Sequence, residues 1–112
     1  MPERIPVRAL IDTGASVTVL DTAIVRKLSL MATGTISFQT PSTGETPHVS
    51  NQYDVSILLV SPIAKRATGF DNIPVIEADL SAQGLQALLG RDILRQCLFV
   101  YDGVAGLFSL AF

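Results

Sequence analysis

The strongest constraint on this chain is a carboxylate set where an apolar strand should run on. Ala9-Leu10-Ile11 delivers Asp12 directly into Thr13-Gly14, and apolar residues resume at Val17, Val19 and Leu20. A charge among buried neighbours is costly unless it is paired or hydrogen-bonded. Asp12 is therefore either a turn residue or the centre of a chemical site, where such groups concentrate. Asp-Thr-Gly occurs once; Asp102-Gly103-Val104 and Asp71-Asn72-Ile73 do not repeat it.

The rest of the composition narrows the chemistry. A chain of 112 residues is one domain, and a domain this small has a modest private core, so association would add stability. Apolar residues make up 48%, charged residues only 16%, and mean hydropathy is +0.44. Such a balance leaves apolar surface for a partner. Net charge of -2 gives no footprint for nucleic acid, and Lys65-Arg66 is too short a basic patch. No run approaches the roughly 18 apolar residues needed to span a bilayer. Met1-Pro2-Glu3-Arg4 lacks the layout of a signal peptide, so no membrane contact and a cytoplasmic location are expected. The single cysteine, Cys97, excludes an intrachain disulfide and a cysteine zinc site; its apolar neighbours make it a structural thiol. The single histidine, His48, lies in a polar stretch without a nucleophile elbow, which disfavours Ser-His-Asp or Cys-His hydrolysis.

Residue patterns predict a mostly β domain with two short helices. Strands are expected at 5–11 and 17–20. Asp21 is a helix N-cap, with Leu20 and Val25 at the positions of a hydrophobic staple, which places a helix at about 21–28. Ile24, Val25 and Leu28 share its inner face. Segments 35–40 and 49–60 read as a long hairpin whose polar tip is Pro41–Pro47, with Pro62 ending the second arm. Strands follow at 67–70, 73–76 and 85–89. Gly90 then stops the last of these, and 91–96 forms a short helix with Ile93 and Leu94 inward and Asp92 at its start. Asp102-Gly103 signals a closing hairpin over 97–112. Leu20, Val60, Ile76 and Leu88 are expected in the core, some of them lining a cleft, and Asp54 is expected to be a solvated charge at a strand end.

Leu10-Ile11-Asp12-Thr13-Gly14-Ala15, followed by Thr18-Val19-Leu20, resembles the active-site segment of the retroviral-type aspartic proteases, the retropepsins. About 75 residues on, Leu88-Leu89-Gly90-Arg91-Asp92-Ile93-Leu94 resembles their second signature, and the expected hairpin lies between the two. The match covers roughly residues 5–100 and implies a small, closed, barrel-like acid protease fold with one lobe per chain and a two-fold homodimer. Residues 1–112 would then be a single such domain, cut from a longer protein. The resemblance implies that Asp12 is catalytic and that Thr13, Gly14, Ala15, Gly90 and Arg91 support it. The Thr13 hydroxyl would bond across to the partner loop. Ser16 and the hairpin-tip residues Thr40, Ser42, Thr43 and Gly44 would meet an extended peptide or protein substrate.

The chemistry is coherent in its own terms. Peptide hydrolysis without metal or cofactor needs a water deprotonated as it attacks and a proton for the amide, and two carboxylates sharing one proton supply both. Like charges that close cannot both ionise, as aspartic proteases illustrate. With one Asp-Thr-Gly per chain, the dyad needs a second copy. Viral members carry an acidic residue after Asp-Thr-Gly-Ala that pairs with the helix arginine; Ser16 occupies that place, so the partner of Arg91 is open. The chain begins 11 residues before Asp12, so the usual terminal dimer strand is expected to be absent and the hairpin Leu98–Phe112 to replace it. Ala15 replaces the serine of pepsin-like enzymes, which removes a hydrogen bond to the carboxylate and predicts a mildly acidic optimum. The alternative reading is a non-catalytic dimerisation or peptide-binding module on the same fold.

Overall fold

The computed structural model describes residues 4–38, 48–61 and 63–112. Its elements are β1 (Ala9–Ile11), β2 (Val19–Asp21), α1 (Thr22–Lys27), β3 (Gly34–Phe38), β4 (His48–Ser61) and β5 (Arg66–Ala78). A single 3-10 turn (Ser81–Gln83), β6 (Ala87–Leu89), α2 (Arg91–Leu94), β7 (Leu98–Asp102) and β8 (Leu107–Ala111) follow. Strands dominate and the two α-helices are short, as the sequence predicts. Six strands form one curled, half-barrel sheet in the order β1-β6-β2-β5-β4-β3, and β7-β8 form a second sheet. Among the described residues β1 and β3 are the edges of the large sheet, so the closed barrel expected from the resemblance is an open, curled one.

Local signals explain the first helix. The Asp21 side chain accepts from the Ala23 N–H as N-cap, while Arg26 and Lys27 occupy the last turn, where cations suit the helix dipole. Ile24 and Val25 are buried, and Leu20 joins them in a cluster with Tyr53, Val75 and Ala87, against which Leu28 packs. The other Asp21 oxygen accepts from the Leu80 N–H at 2.7 Å, tying the helix start to the segment after β5.

The central hairpin forms as expected: β3 and β4 pair antiparallel from Gly34↔Gln52 to Phe38↔His48. Its tip, with Thr40, Ser42, Thr43 and Gly44, and also Pro62, lies outside the described residues. Strands expected at 67–70 and 73–76 are one strand, β5. Asp71-Asn72 reads as a turn, yet these two residues oppose the single Ser56 between the pairs Val55↔Ile73 and Ile57↔Phe70. That is a β-bulge, with Asn72 at φ 54° and Ser56 Oγ donating to Asp71 Oδ1 at 3.1 Å. Strand alternation on β4 points Tyr53, Val55, Ile57 and Leu59 inward, which turns Val60 outward at 61% exposure and removes it from the expected core. Asp54 is exposed as expected but sits mid-strand, opposite Pro74.

The remaining expected strands are shorter than their apolar runs. The first covers only Ala9–Ile11, and the 85–89 segment pairs only from Ala87. The helix expected over 91–96 spans Arg91–Leu94, with Ile93 and Leu94 buried in a second cluster with Phe70 and Leu89. Cys97 packs half-buried against that cluster; burial pushes its thiol pKa up, in keeping with a structural role. The closing hairpin is present, but β7 and β8 pair up to Asp102↔Leu107, leaving a four-residue loop instead of a two-residue Asp-Gly turn. Asp102 Oδ1 accepts from the N–H groups of Val104 and Ala105, and Gly106 takes φ 69°.

Candidate active site

The Asp12 loop is built by a short strand inserted between two others. β6 pairs parallel with β1 (Ile11↔Leu89) and antiparallel with β2 (Val19↔Leu88). The loop from Asp12 to Thr18 therefore leaves one side of β6 and returns on the other, around its C-terminal end. Asp12 N–H donates to the Leu89 carbonyl at 3.0 Å, which continues the β1-β6 ladder up to the carboxylate-bearing residue.

Within the loop, the Gly14 N–H donates to Asp12 Oδ1 at 2.9 Å and the Ala15 N–H to the Asp12 carbonyl at 3.2 Å. The turn thus fixes one carboxylate oxygen by a backbone donor two residues on. A Cβ on Gly14 would lie 3.2 Å from that same oxygen, so glycine keeps the donor close without crowding it. Asp12 is half-buried, while Thr13, Gly14 and Ser16 are exposed. The carboxylate sits at an accessible surface, held by the backbone beneath it.

The turn between β6 and α2 supports the loop from below. Arg91 N–H donates to the Ala15 carbonyl at 2.8 Å, and the Arg91 guanidinium donates through Nη1 to the Thr13 carbonyl at 2.9 Å. Arg91 thus finds its partner in the loop backbone, which answers the question left open by Ser16. Gly90 approaches so closely that a Cβ there would sit 2.6 Å from both the Val17 carbonyl carbon and its oxygen. Gly14, Ala15, Gly90 and Arg91 therefore converge on the Asp12 loop, as does the Thr13 backbone. Ser16 lies on its exposed rim.

Sequence reasoning missed one pair that holds this assembly together. Thr18, 2% exposed, donates through Oγ1 to Asp92 Oδ1 at 2.8 Å, and its N–H donates to Asp92 Oδ2 at 3.0 Å. The same hydroxyl accepts from the Gly90 N–H at 3.1 Å. A buried hydroxyl that both donates and accepts leaves no orphan group at the crossing. Asp92 does lie at the start of α2, but it reaches back across the loop as well as along its own helix. The signal was a polar residue, Thr18, set between Val17 and Val19 in an otherwise apolar run; its partner lies 74 residues away. Leu20 and Ile76 are buried as expected, and Leu88 is half-buried beside this crossing. Among the described residues, no three His, Cys, Asp or Glu side chains gather as a metal site.

A mostly β domain, an Asp-Thr-Gly loop and a Gly-Arg helix start beneath it have the layout of the aspartyl protease class. The family described as "gag-polyprotein putative aspartyl protease" matches residues 3–96, and the chain belongs to that family, in agreement with its retropepsin-like motifs. No curated protein and no solved structure matches the chain.

Proposed function

We propose that the chain is an aspartic endopeptidase whose site forms between two copies, each contributing Asp12, with residues 1–112 acting as a single protease domain. The observation that carries this reading is the backbone-held, accessible Asp12 carboxylate, present once per chain. One carboxylate, as base, takes a proton from the water as its oxygen attacks the peptide carbonyl carbon. The other, protonated, gives its proton to the carbonyl oxygen. Collapse of the resulting diol breaks the C–N bond. The first carboxyl then protonates the leaving amine, and the second recovers a proton from the diol, so the pair again holds one shared proton.

The loop geometry fits these roles. The Gly14 N–H holds one Asp12 oxygen and leaves the other for water. The Thr13 hydroxyl, on an exposed turn, would bond the partner loop. An extended peptide would lie between the dimer and the β3–β4 hairpins acting as flaps, meeting Ser16 and the tip residues Thr40, Ser42, Thr43 and Gly44. Cleavage of an unbiased peptide library by wild type and Asp12→Asn, with dimer verified by sedimentation and a pepstatin-like inhibitor as second check, tests the proposal. Loss of all cleavage in Asp12→Asn is expected. Cleavage that survives it would overturn the mechanism, and an inactive wild-type dimer would favour a peptide-binding module.

A further inference from the structure

β4 is longer than the strand that covers it. β3 pairs with it only from His48 to Gln52, where the Thr33 N–H donates to the Gln52 carbonyl at 2.8 Å. Before Thr33 the chain turns back to α1, and the Leu30 N–H donates to the Val25 carbonyl. The bond at Gln52 sets a parity: even-numbered residues of β4 turn their N–H and C=O groups toward the β3 side, because these groups alternate from edge to edge along a strand. Half-buried Val55, Ile57 and Leu59 alternate without a break with exposed Asp54, Ser56, Leu58 and Val60, since the extra residue of the bulge is on β5. The N–H and C=O groups of Asp54, Ser56, Leu58 and Val60 thus line one edge, and among the described residues no strand pairs with it. The opposite edge of the same hairpin is blunted, for β5 carries Pro74, which has no N–H, and the bulge at Asp71-Asn72. From Val55 to Ser61 the edge of β4 has neither charge nor proline, and on its outer face Leu58 and Val60 are 42% and 61% exposed. An edge left unprotected in this way is a template for another strand.

We propose that the open edge of β4, from Asp54 to Val60, pairs antiparallel with the same edge of a second copy and joins the two large sheets across a two-fold axis. Three features select a second copy as the occupant. A two-fold axis sets a strand antiparallel to its own copy, so an open edge is complementary to itself. The ends of this edge are opposite in charge, with exposed Asp54 at one and exposed Lys65 just past the other, so antiparallel self-pairing brings each acid toward the partner's base. With the axis at Leu58, the two Leu58 side chains meet and each Val60 stands opposite the partner's Ser56, which makes one apolar strip on the outer face. That register forms about six backbone hydrogen bonds. Contact confined to one edge falls below the roughly 1,200 Å² of stable interfaces, so this association is weak and is populated at high protein concentration. It uses no residue of the Asp12 loop or of β7–β8, and it does not depend on the protease reading.

Sedimentation equilibrium of the intact chain at about 500 µM, where a weak contact is populated, tests this with Leu58→Pro and Leu58→Lys against the control Val7→Lys. The Leu58 N–H points to the open edge, so proline there removes an edge donor and leaves the β4–β5 ladder whole. Val7 is 40% exposed and precedes β1, at the far edge of the sheet. Whatever assembly the rest of the chain supports, wild type and Val7→Lys should reach at least about 1.5 times the mean mass of either Leu58 variant. Should circular dichroism show that proline unfolds the hairpin, Leu58→Lys, altered on the exposed face, carries the comparison. In wild type, and not in Leu58→Lys, the amides of Ser56 and Val60 should exchange with deuterium at least about two-fold more slowly at about 500 µM than at about 10 µM. Equal masses for wild type and the Leu58 variants, an equal fall in Val7→Lys, or exchange independent of concentration would overturn the proposal. A lysine-flanked peptide of residues 54–61 should lower the wild-type mass to that of the variants. If that peptide binds while wild type already has the variants' mass, pairing with a second copy is refuted and the edge belongs to a strand of a different chain.

Discussion

Replacing Thr18 by Val removes one hydroxyl and almost no volume, which makes it a sharp probe of the crossing beneath the Asp12 loop. The Thr18 N–H keeps its bond to Asp92 Oδ2, so the backbone path is retained. Two bonds are lost: the donation to Asp92 Oδ1 and the acceptance from the Gly90 N–H. A hydrogen bond to a charged acceptor contributes about 1.5–3 kcal/mol, and a buried N–H left unpaired costs about 1–3 kcal/mol. Because the two share one oxygen and the site relaxes, a total of about 3 kcal/mol is expected. For a domain of this size that corresponds to a fall in Tm of roughly 10–15 °C. Urea titration of wild type, Thr18→Val, Thr18→Ser, Asp92→Ala and the Thr18→Val/Asp92→Ala double variant measures it. Thr18→Ser, which retains the oxygen, should lose only about 1 kcal/mol for its methyl group. The cycle with Asp92→Ala should show a coupling of about 1–3 kcal/mol. A Thr18→Val stability within about 0.5 kcal/mol of wild type, the size of an ordinary surface change, would refute the reasoning. So would a Thr18→Ser variant as damaged as Thr18→Val.

Gly90→Ala should cost about 3 kcal/mol or more, because its Cβ would meet the Val17 carbonyl group at 2.6 Å and backbone must move to admit it. Its φ of -88° suits alanine, so a near-neutral variant by thermal melt would show that contact is not what selects glycine here. Tyr53 donates to Glu77 Oε1 at 2.7 Å, and that bond, then burial, raises the phenol pKa above 10.0. A raised folded-state pKa gives stability that is complete below the unfolded value and lost as pH rises through the folded one. The stability gap between wild type and Tyr53→Phe should therefore be constant from pH 7 to about 9 and narrow above about 10; a gap independent of pH to about 11 would contradict it. For the proposed protease, peptide cleavage should peak at mildly acidic pH, as expected from Ala15 in place of serine, and a maximum near about pH 2 would contradict that expectation.

Local chemistry was the legible part of this fold. The Asp21 cap, the staple of Leu20 and Val25, and the two hairpins rest on residues close in sequence, so their signals survive without tertiary context. The run Ile57-Leu58-Leu59-Val60 was not legible in the same way: with every residue apolar, the sequence carries no parity, and only pairing with β5 decides that Val60 faces out. Asp71-Asn72 has turn chemistry, yet the sheet uses it to absorb one extra residue, and hydrogen bonding to β4 overrides the local preference. At the candidate site, Asp12, Gly14 and Gly90 could be singled out from motif and spacing. The clasp of Thr18 on Asp92 could not, because a threonine beside a strand looks like any β-prone residue until α2 is folded against it.

The insertion of β6 between β1 and β2 also sets an order of events during synthesis. The Asp12 loop emerges early, but the Leu89 carbonyl, the Arg91 guanidinium and the Asp92 carboxylate that fix it are made nearly eighty residues later. Contacts that distant form late, after the cost of closing a long loop has been met. A nascent chain therefore carries its aspartate on an unorganised segment until α2 has left the ribosome, and an interrupted chain never organises it. A product truncated before α2 would lack the groups that hold the Asp12 loop in place.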